Sequence, residues 1–467
     1  MINYLFTKNS VYIIIFLSII PTYFWESLYA FLRNINFLKL FESIPIIIIL
    51  KTNIQVPLLN TLYFYKNPKN LTVYELIHRD SYKFGILRHP FKIPLNNPII
   101  SHHQRQELVV EAEKVLKKAL EFKSTNSVKA KKLLSHALKL DPYNPNILAE
   151  YGELIEIQDT NIILAEYFCT KAFLTEPTHA KAQECRRRTT PIVEEMDQKR
   201  LNQIDAKVYL FFEIPENHPR LKHIKKEQYF SYIYNTIAIE GNTLSLAQTR
   251  VILETRIAIG GKSLLEQNEV MGIDLALKYL NNLLNEGKQN ILIEHILELH
   301  KRVLGFVDIS EAGRFRNKQV FIADHTPPPS EEIPNLMSQF LEWVNSDDSK
   351  ELHPIELAAL SHWRFVFIHP FQDGNGRTAR LLMNFILMRA NYPPSIILNE
   401  DREKYFQLLK VANEGDVRPF IRFIANCTER TIDDYLMTKS SDTISLISPT
   451  IVNAKTQNLS VFHADLK

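Results

Sequence analysis

The segment His369–Arg380, HPFQDGNGRTAR, constrains this chain more than any other. It places two glycines around one asparagine, and glycine allows turn geometries that other residues avoid and lets the main chain approach a ligand. Apolar residues at helical spacing follow from Thr378, which predicts a helix directly after the turn. The N-terminus of that helix would direct N–H groups and positive partial charge towards the turn. The pattern therefore predicts an anion-binding loop at a helix N-terminus.

The side chains of this segment suit a nucleotide site. His369 has the chemistry of a general base, and Asp373 offers hard oxygen ligands for Mg²⁺. Arg377 and Arg380 are three residues apart, on one helical face, and can fork onto phosphate oxygens. Each feature alone has a commoner interpretation as a turn, a packed histidine or a solvated face. Their combination in one window favours a site that binds phosphates and deprotonates a nucleophile.

The segment resembles the signature of the Fic family, His-Pro-Phe-x-Asp/Glu-Gly-Asn-Gly-Arg-x-x-Arg, with every fixed position filled. The resemblance implies transfer of AMP from ATP to hydroxyl side chains of proteins. It implies that His369 is the base, that Asp373 holds Mg²⁺ or Mn²⁺, and that Arg377 and Arg380 bind the phosphate tail. The loop residues implied to cradle the phosphates are Gly374, Asn375 and Gly376.

A second segment, Thr236–Asn242, resembles the inhibitory motif of Fic proteins, Ser/Thr-x-x-x-Glu-Gly/Asn. Helical spacing upstream places Glu240 near a helix C-terminus, with Gly241 as the terminator. A carboxylate there is unfavourable unless a cation meets it. The resemblance implies that Arg380 is that cation, and that the pair keeps Arg380 from the γ-phosphate. The alternative is an exposed acid at a helix end.

Further matches extend the resemblance. Leu264 corresponds to a homodimer contact in the animal endoplasmic-reticulum Fic enzymes, and the segment after Arg316 resembles the flap that positions the target peptide. Alternating Val320 and Ile322 predict a short strand or hairpin edge, on which an extended segment could dock. Family positions near the nucleotide are Ile322, Ala323, Asp324 and His325, and those contacting the adenosine are Tyr405 and Asn413. A packed structural role is the alternative for Tyr405.

The preceding part of the chain contains a repeat. Alanines and an acid-proline pair recur with an offset of about 35 residues, close to the tetratricopeptide period. The pattern predicts helices over 108–122, 128–140, 147–157 and 162–174, followed by a linker helix over 186–207. We interpret these four helices as two tetratricopeptide repeats that recruit a protein substrate. The alternative is a helical hairpin that binds no ligand.

Residues 1–100 show no family match. Ser10–Trp25 lacks charged residues, and apolar residues resume to Leu32, which predicts a retained membrane anchor. Basic residues follow this run more than they precede it, which favours an outside N-terminus. The resemblance implies the opposite, a single-pass type II protein of the endoplasmic-reticulum membrane with a lumenal catalytic domain. It also implies the lumenal Hsp70-class chaperone (BiP) as target.

Composition excludes few classes. A formal net charge of +3 gives no case for nucleic-acid binding. Three cysteines, at 169, 185 and 427, lack metal spacing and are expected to be reduced and packed.

The predicted fold is all-α: an anchor and stem over 1–100, two tetratricopeptide repeats over 105–180, a linker helix over 181–215, a Fic helical bundle with a small β-hairpin flap over 216–437 (core about 291–426), and a disordered tail over 438–467. The predicted activity is protein AMPylation, restrained by Glu240, together with removal of AMP from the modified target. The alternatives are a Fic-like enzyme with another phosphate-containing donor and a repeat scaffold with a silent nucleotide pocket.

Overall fold

A computed structural model describes residues 2–7, 10–16, 46–49, 102–158, 161–287, 290–322 and 325–437. The chain divides into two units, Met1–Asn67 and Pro68–Lys467. The predicted disordered tail over 438–467 lies outside the described residues, as do residues 17–45 and 50–100 of the predicted anchor and stem over 1–100.

The first unit contains a small three-stranded sheet. Strand β1 (Ile2–Thr7) pairs antiparallel with β2 (Ser10–Phe16), and β2 pairs parallel with β3 (Ile46–Ile49). The strands are rich in Ile, Val, Tyr and Phe, which favour extended structure. The described part of the predicted membrane anchor, Ser10–Phe16, is a strand, and residues 17–32 lie outside the described residues.

The predicted single-pass type II localisation in the endoplasmic-reticulum membrane is wrong. Among the described residues, no helix combines the length and the apolar character needed to cross a bilayer. A short apolar run rich in β-branched residues is compatible with either a strand or a buried helix, because periodicity alone does not separate the two.

The second unit begins with two helical hairpins. They comprise α1 (His102–Phe122), α2 (Ser127–Leu140), α3 (Pro145–Ile157) and α4 (Ile162–Thr175). Asparagine side chains cap the last three helices, and Pro145 occupies the first turn of α3, where its missing N–H costs nothing. The recurring alanines are fully buried, so the helices pack closely. The four predicted helices are present, and their tetratricopeptide class stays a prediction.

A disulfide joins α4 to the next helix, α5 (Ala180–Phe212). Cys169 and Cys185 are bonded, with Cα atoms 5.9 Å apart, and only Cys427 remains a free, buried thiol in the described part of the chain. The prediction that all three cysteines are reduced is wrong. Packing of α4 against α5 brings together two residues that local spacing did not connect.

Helix α5 is the predicted linker, and it extends beyond the predicted helical span 186–207 at both ends. Ion pairs join α5 to α15 (Arg418–Leu436). Lys207 donates to Asp433, and Arg422 donates to Asp197. The hairpins also reach the bundle directly, since the Tyr143 hydroxyl donates to Glu414 at 2.9 Å. Polar contacts therefore join the linker helix and the hairpins to the C-terminal helical bundle.

The bundle contains the remaining helices between α5 and α15. They are α6 (Pro219–Ala238), α7 (Leu246–Thr255), α8 (Leu264–Asn285), α9 (Ile293–Leu304), α10 (Ile333–Asn345), α11 (Asp347–Lys350), α12 (Pro354–Ile368), α13 (Asn375–Arg389) and α14 (Arg402–Asn413). Helix α13 is buried on nearly every side, as expected for a central helix. The loop between α12 and α13 carries the HPFQDGNGR sequence, so the core helices position the site.

The flap between α9 and α10 is less regular than predicted. Its two arms are residues 318–322 and 325–328, joined by a single isolated antiparallel bridge between Ile322 and His325. The described flap residues therefore contain no regular strand, and the predicted hairpin is reduced to this one bridge. Pro327 to Pro329 follow at once, and proline lacks the N–H that a longer ladder would need.

Candidate active site

His369 lies where α12 ends. Its backbone is left-handed, with φ 51°, and Pro370 cannot continue the helix. The ring nitrogen Nδ1 lies 3.2 Å from the Val366 carbonyl oxygen, so Nδ1 carries the proton and donates it. The lone pair of Nε2 is then the one that can accept a proton. Burial lowers the pKa of His369 to about 4, which keeps the ring neutral, and so able to accept a proton, near pH 7.

The loop after His369 is closed by Asn375. Its side-chain oxygen accepts from the Phe371 N–H at 2.9 Å, and its amide donates to the Phe371 carbonyl at 2.8 Å. Gly374 adopts φ 75° at the N-cap of α13. The first helical bond of α13 runs from the Thr378 N–H to Gly374, so the N–H groups before it lack intrahelical acceptors. The loop therefore presents main-chain donors to an anion, as the sequence predicts.

Asp373 is the exposed carboxylate of this loop. Its Oδ1 accepts from the Gly374 N–H at 2.6 Å, its Oδ2 accepts from Arg377 at 3.0 Å, and 65% of the side chain is exposed. The described residues contain no group of three or more His, Cys, Asp or Glu that could enclose a metal ion. A single accessible carboxylate fits Mg²⁺ or Mn²⁺ that takes most of its ligands from phosphates and water. Asp373 is therefore suited to share a metal with a nucleotide.

Arg377 is held by two carboxylates. Its Nη1 donates to Glu269 on α8 at 2.8 Å, and its Nη2 donates to Asp373. The side chain is 3% exposed. Because the guanidinium is buried, a phosphate could reach it only if the surrounding side chains moved. The predicted phosphate role thus applies to a different arrangement of the site from the one described.

Arg380 and Glu240 form the predicted ion pair. Arg380 Nη2 lies 2.6 Å from Glu240 Oε1, and the guanidinium also donates to the Thr236 hydroxyl and carbonyl, each at 2.8 Å. Burial opposes the charge of Arg380, but the Glu240 carboxylate raises its pKa above the ordinary value. Arg380 is therefore charged and engaged by the segment that carries Glu240.

Glu240 reaches this position from the turn that follows α6. The helix ends at Ala238, and Gly241 has φ 104°, a conformation that favours glycine. A Cβ atom at Gly376 would collide with the Glu240 carboxylate, so glycine at that position allows the close approach. The carboxylate thus lies over the first turn of α13, where the helix dipole favours a negative charge. Glu240 therefore occupies a position that would also favour a bound phosphate.

The two predicted adenosine contacts differ in accessibility. Tyr405 is 1% exposed, and its hydroxyl lies 3.1 Å from His362 Nε2 and 3.4 Å from Arg380 Nη1. The packed-tyrosine alternative describes it better than a nucleotide contact. Asn413 is half-buried at the end of α14 and accepts a hydrogen bond from the Trp363 indole at 2.9 Å. Asn413 therefore remains accessible to a ligand.

The flap residues lie beside the same loop. Ile322 and His325 exchange main-chain hydrogen bonds, and His325 Nε2 lies 3.0 Å from the Phe367 carbonyl at the end of α12. Ala323 and Asp324 lie outside the described residues. Leu264, the predicted dimer residue, is 71% exposed at the start of α8. The structure thus brings the described flap positions close to the turn that carries His369 and leaves Leu264 on the surface.

Two residues near the site were not predicted from the sequence. His300 is fully buried and stacks on Phe371. Its Nδ1 accepts a hydrogen bond from the Gly313 N–H, so Nε2 carries the proton and donates it to the Asp373 carbonyl at 2.9 Å. Glu269 holds Arg377. A histidine on an apolar helix face indicates only core packing, and an acid on a helix gives no signal for a partner 108 residues away.

Comparisons with known proteins agree on one family. Residues 290–387 match the sequence profile of the Fic/DOC family. The chain is 51% identical over 312 residues to "Protein adenylyltransferase Fic" of Drosophila willistoni, covering 67% of this chain and 62% of that protein. It is 48% identical over 331 residues to the protein of the same name from Aedes aegypti, covering 71% and 66% of the two chains. The chain thus spans less than two thirds of the length of these relatives.

A solved structure extends the match. Fic-1 of C. elegans, residues 134–508, superposes with a TM-score of 0.66 at 40% identity, covering 71% of this chain and 99% of that one. A second solved form of the same protein, in which one glutamate is replaced by glycine, gives 0.65 at 39% identity, covering 72% and 99% of the two chains.

Proposed function

Because this chain belongs to the Fic/DOC family, we propose that it is a protein adenylyltransferase. His369 Nε2 takes the proton from a hydroxyl of a target protein, and the hydroxyl oxygen bonds to the α-phosphorus of ATP. The bond between that phosphorus and the bridging oxygen breaks, and pyrophosphate leaves. The N–H groups at the start of α13 stabilise the charge that develops on the phosphate oxygens.

One observation carries this proposal: a neutral, oriented histidine lies directly before an anion-binding loop. The Nδ1 proton is committed to Val366, which leaves Nε2 as the acceptor. The loop that follows is closed by Asn375 and leads into the N-terminus of α13. Transfer of a phosphate-containing group to a hydroxyl requires a general base beside a phosphate site, and this segment places the two together.

A divalent cation fits beside the loop. Asp373 would hold Mg²⁺ or Mn²⁺ through its exposed carboxylate, and the ion would offset negative charge on the phosphates when bound. Asp373 is itself oriented by the Gly374 N–H and by Arg377, so the carboxylate is positioned before any ligand arrives.

We propose that Glu240 inhibits the transfer. The carboxylate engages Arg380 and lies where phosphate oxygens would meet the start of α13. Two anions cannot share this site without repulsion, so ATP bound beside Glu240 would lack the Arg380 contact. The described arrangement, in which both signature arginines are engaged by carboxylates, supports a restrained resting state.

The same carboxylate could serve the reverse outcome, removal of AMP from a modified target. Glu240 is 31% exposed, so water can reach it. The carboxylate would take a proton from a water whose oxygen bonds to the phosphorus, and the bond from phosphorus to the target oxygen would break. His369 in its protonated form would give a proton to that oxygen, AMP would leave, and the proton held by Glu240 would return to His369.

The targets and assembly are also proposals. An Hsp70-class chaperone is the proposed target, and the two helical hairpins would recruit it. Leu264 and its neighbour Leu265 are both exposed at the start of α8, which supports a homodimer contact there.

The test uses the full chain, ATP labelled at either the α- or the γ-phosphate, and an Hsp70-class chaperone. It compares wild type, Glu240→Gly, and Glu240→Gly combined with His369→Ala. Label from α-labelled ATP alone, strong only with Glu240→Gly, is the expected result. Label from the γ-phosphate, or from another phosphate-containing donor in competition with ATP, would indicate the rival chemistry. ATP binding without transfer from any donor would favour the silent-pocket scaffold.

Removal is measured separately. Chaperone modified by the Glu240→Gly variant is isolated and incubated with wild type, Glu240→Gly or His369→Ala protein. Release of labelled AMP by wild type alone is expected. Equal release by Glu240→Gly would contradict the proposed role of Glu240 in removal.

A further inference from the structure

Arg316 is a buried arginine whose side chain donates hydrogen bonds to three main-chain carbonyls. It is 3% exposed and lies between α9 and the flap. Nε donates to His369 O at 2.7 Å, Nη1 to Lys318 O at 2.9 Å, and Nη2 to Pro328 O at 2.6 Å. Its own main-chain N–H donates to Pro370 O at 2.9 Å. Each of the three guanidinium nitrogens thus has a protein acceptor.

The three carbonyls belong to parts of the chain that must be held together for transfer. Lys318 begins the first flap arm, Pro328 ends the second, and His369 is the proposed base. Within the described part of the chain, Arg316 is the side chain that bonds to both arms and to the catalytic turn. The flap arms therefore stand at a fixed distance from His369.

Other contacts hold the arms to each other. Gln319 Nε2 donates to Pro327 O at 2.8 Å, and Ile322 and His325 exchange main-chain bonds at 3.0 and 2.7 Å. After loss of Arg316 only these bonds would hold the arms, and they would open more often. The arms would also become free to move relative to His369.

The chemistry of guanidinium suits this role. Its donors project from a rigid plane in a fixed fork, so three acceptors in different directions are set simultaneously. An ammonium offers one point charge on a flexible stem and cannot reproduce that geometry. A buried charge is costly unless it is well hydrogen-bonded, which penalises displacement of any of the three carbonyls. Because the side chain is buried and each of its three nitrogens already donates to a carbonyl, Arg316 is poorly placed to bind the nucleotide.

We propose that Arg316 is a positioning residue that sets the spacing between the flap arms and His369, and so places the target hydroxyl on the base. This inference rests on the proposed function. Loss of Arg316 should therefore impair transfer to the protein target and leave ATP binding intact.

The experiment uses the full chain in the Glu240→Gly background, where transfer is expected to be measurable. Arg316→Gln is compared with Arg314→Gln, which removes a positive charge two residues away from an exposed position. The measurements are the dissociation constant for ATP, kcat and KM for the chaperone target, and hydrogen exchange at the Ile322 and His325 amides. Thermal unfolding by circular dichroism checks that each variant is folded.

For Arg316→Gln we expect kcat/KM for the target to fall at least ~10-fold, because displacements near 1 Å can reduce rates by about 100-fold. The dissociation constant for ATP should stay within about twofold of the parent, as expected when no phosphate contact is lost. Exchange at the two flap amides should accelerate, while the amides of α13 remain protected. Arg314→Gln should match the parent throughout.

Two results would overturn the inference: equal kcat/KM in Arg316→Gln and Arg314→Gln, or losses of ATP affinity and transfer by the same factor. If Arg316→Gln fails to fold, Arg316→Lys is measured in its place, and parent-like kcat/KM for that variant would refute the role of the fork. If the Glu240→Gly parent transfers no AMP, the proposed function fails. Unchanged flap exchange in Arg316→Gln would then separately refute the tether.

Discussion

Replacement of Glu240 by glycine should increase AMP transfer and decrease stability at the same time. A phosphate that takes Arg380 must displace a carboxylate 2.6 Å from Nη2. A hydrogen bond to a charged group contributes about 1.5–3 kcal/mol, and each ~1.4 kcal/mol is tenfold. Removal of this competitor should therefore raise transfer at sub-saturating ATP by roughly 10- to 150-fold.

The stability effect has the opposite sign. Arg380 is 3% exposed and loses its anionic partner, and removing one member of a buried pair commonly costs about 3–5 kcal/mol. Glu240 is 31% exposed, and Arg380 keeps the Thr236 hydroxyl and carbonyl as acceptors. The expected loss is therefore smaller, about 1–3 kcal/mol. ATP should restore part of it, since ligand that binds only the folded state stabilises that state.

The assay measures initial rates of labelling from α-labelled ATP across ATP concentrations, together with urea unfolding with and without ATP. Glu240→Gln is the first control: it keeps the shape and one acceptor but removes the charge, and should fall between wild type and Glu240→Gly. Glu286→Gly is the second, because Glu286 and Gly287 also form a Glu-Gly pair at a helix C-terminus, on α8. It should leave the transfer rate unchanged.

Equal transfer rates in wild type and Glu240→Gly, with both proteins folded, would refute inhibition by the Arg380 pair. Activation by Glu286→Gly to the same extent would show that a loosened helix end, rather than the lost carboxylate, causes the effect.

Three further predictions concern the base, the surface of α8 and the disulfide. His369→Ala should reduce transfer by about 100- to 10,000-fold. Because the pKa of His369 is lowered to about 4, the ring stays neutral above that value, and kcat/KM should stay flat from pH 8 to pH 6. A histidine with an ordinary pKa would instead halve the rate near pH 6.5. Leu264→Asp should place a charge on the exposed dimer position and shift sedimentation towards monomer, with unchanged sedimentation contradicting the contact. Cys185→Ser opens a disulfide with a sequence separation of 16 and should cost about 3 kcal/mol in urea unfolding; the loss should disappear when wild type is compared under reducing conditions.

The local parts of the site were predictable from the sequence. Glycine at 374 and 241 indicated turns, and both adopt positive φ in the structure. The apolar spacing after Thr378 predicted α13, whose N-terminus faces the loop. Such features depend on residues within one or two turns, and main-chain preferences over that range are properties of the sequence itself.

The errors arose where local pattern was ambiguous. The apolar run at Ser10 satisfied the composition of a membrane anchor, yet Ser10–Phe16 is a strand. Alternation at Val320 and Ile322 predicted a short strand or hairpin edge, and the prolines that follow limit the pairing to one bridge. Both cases are short segments, for which periodicity does not choose between structures.

The sequence alone thus determined which groups could perform the chemistry: a histidine before a glycine-rich turn, a carboxylate within it, and arginines on the helix that follows. Only the tertiary structure decided how those groups are engaged. Arg377 meets Glu269 across 108 residues, Arg380 meets Glu240 across 140, and Arg316 joins the flap to His369. The physical reason is that turn and helix preferences act between chain neighbours, whereas ion pairs and buried hydrogen bonds depend on which helices pack together.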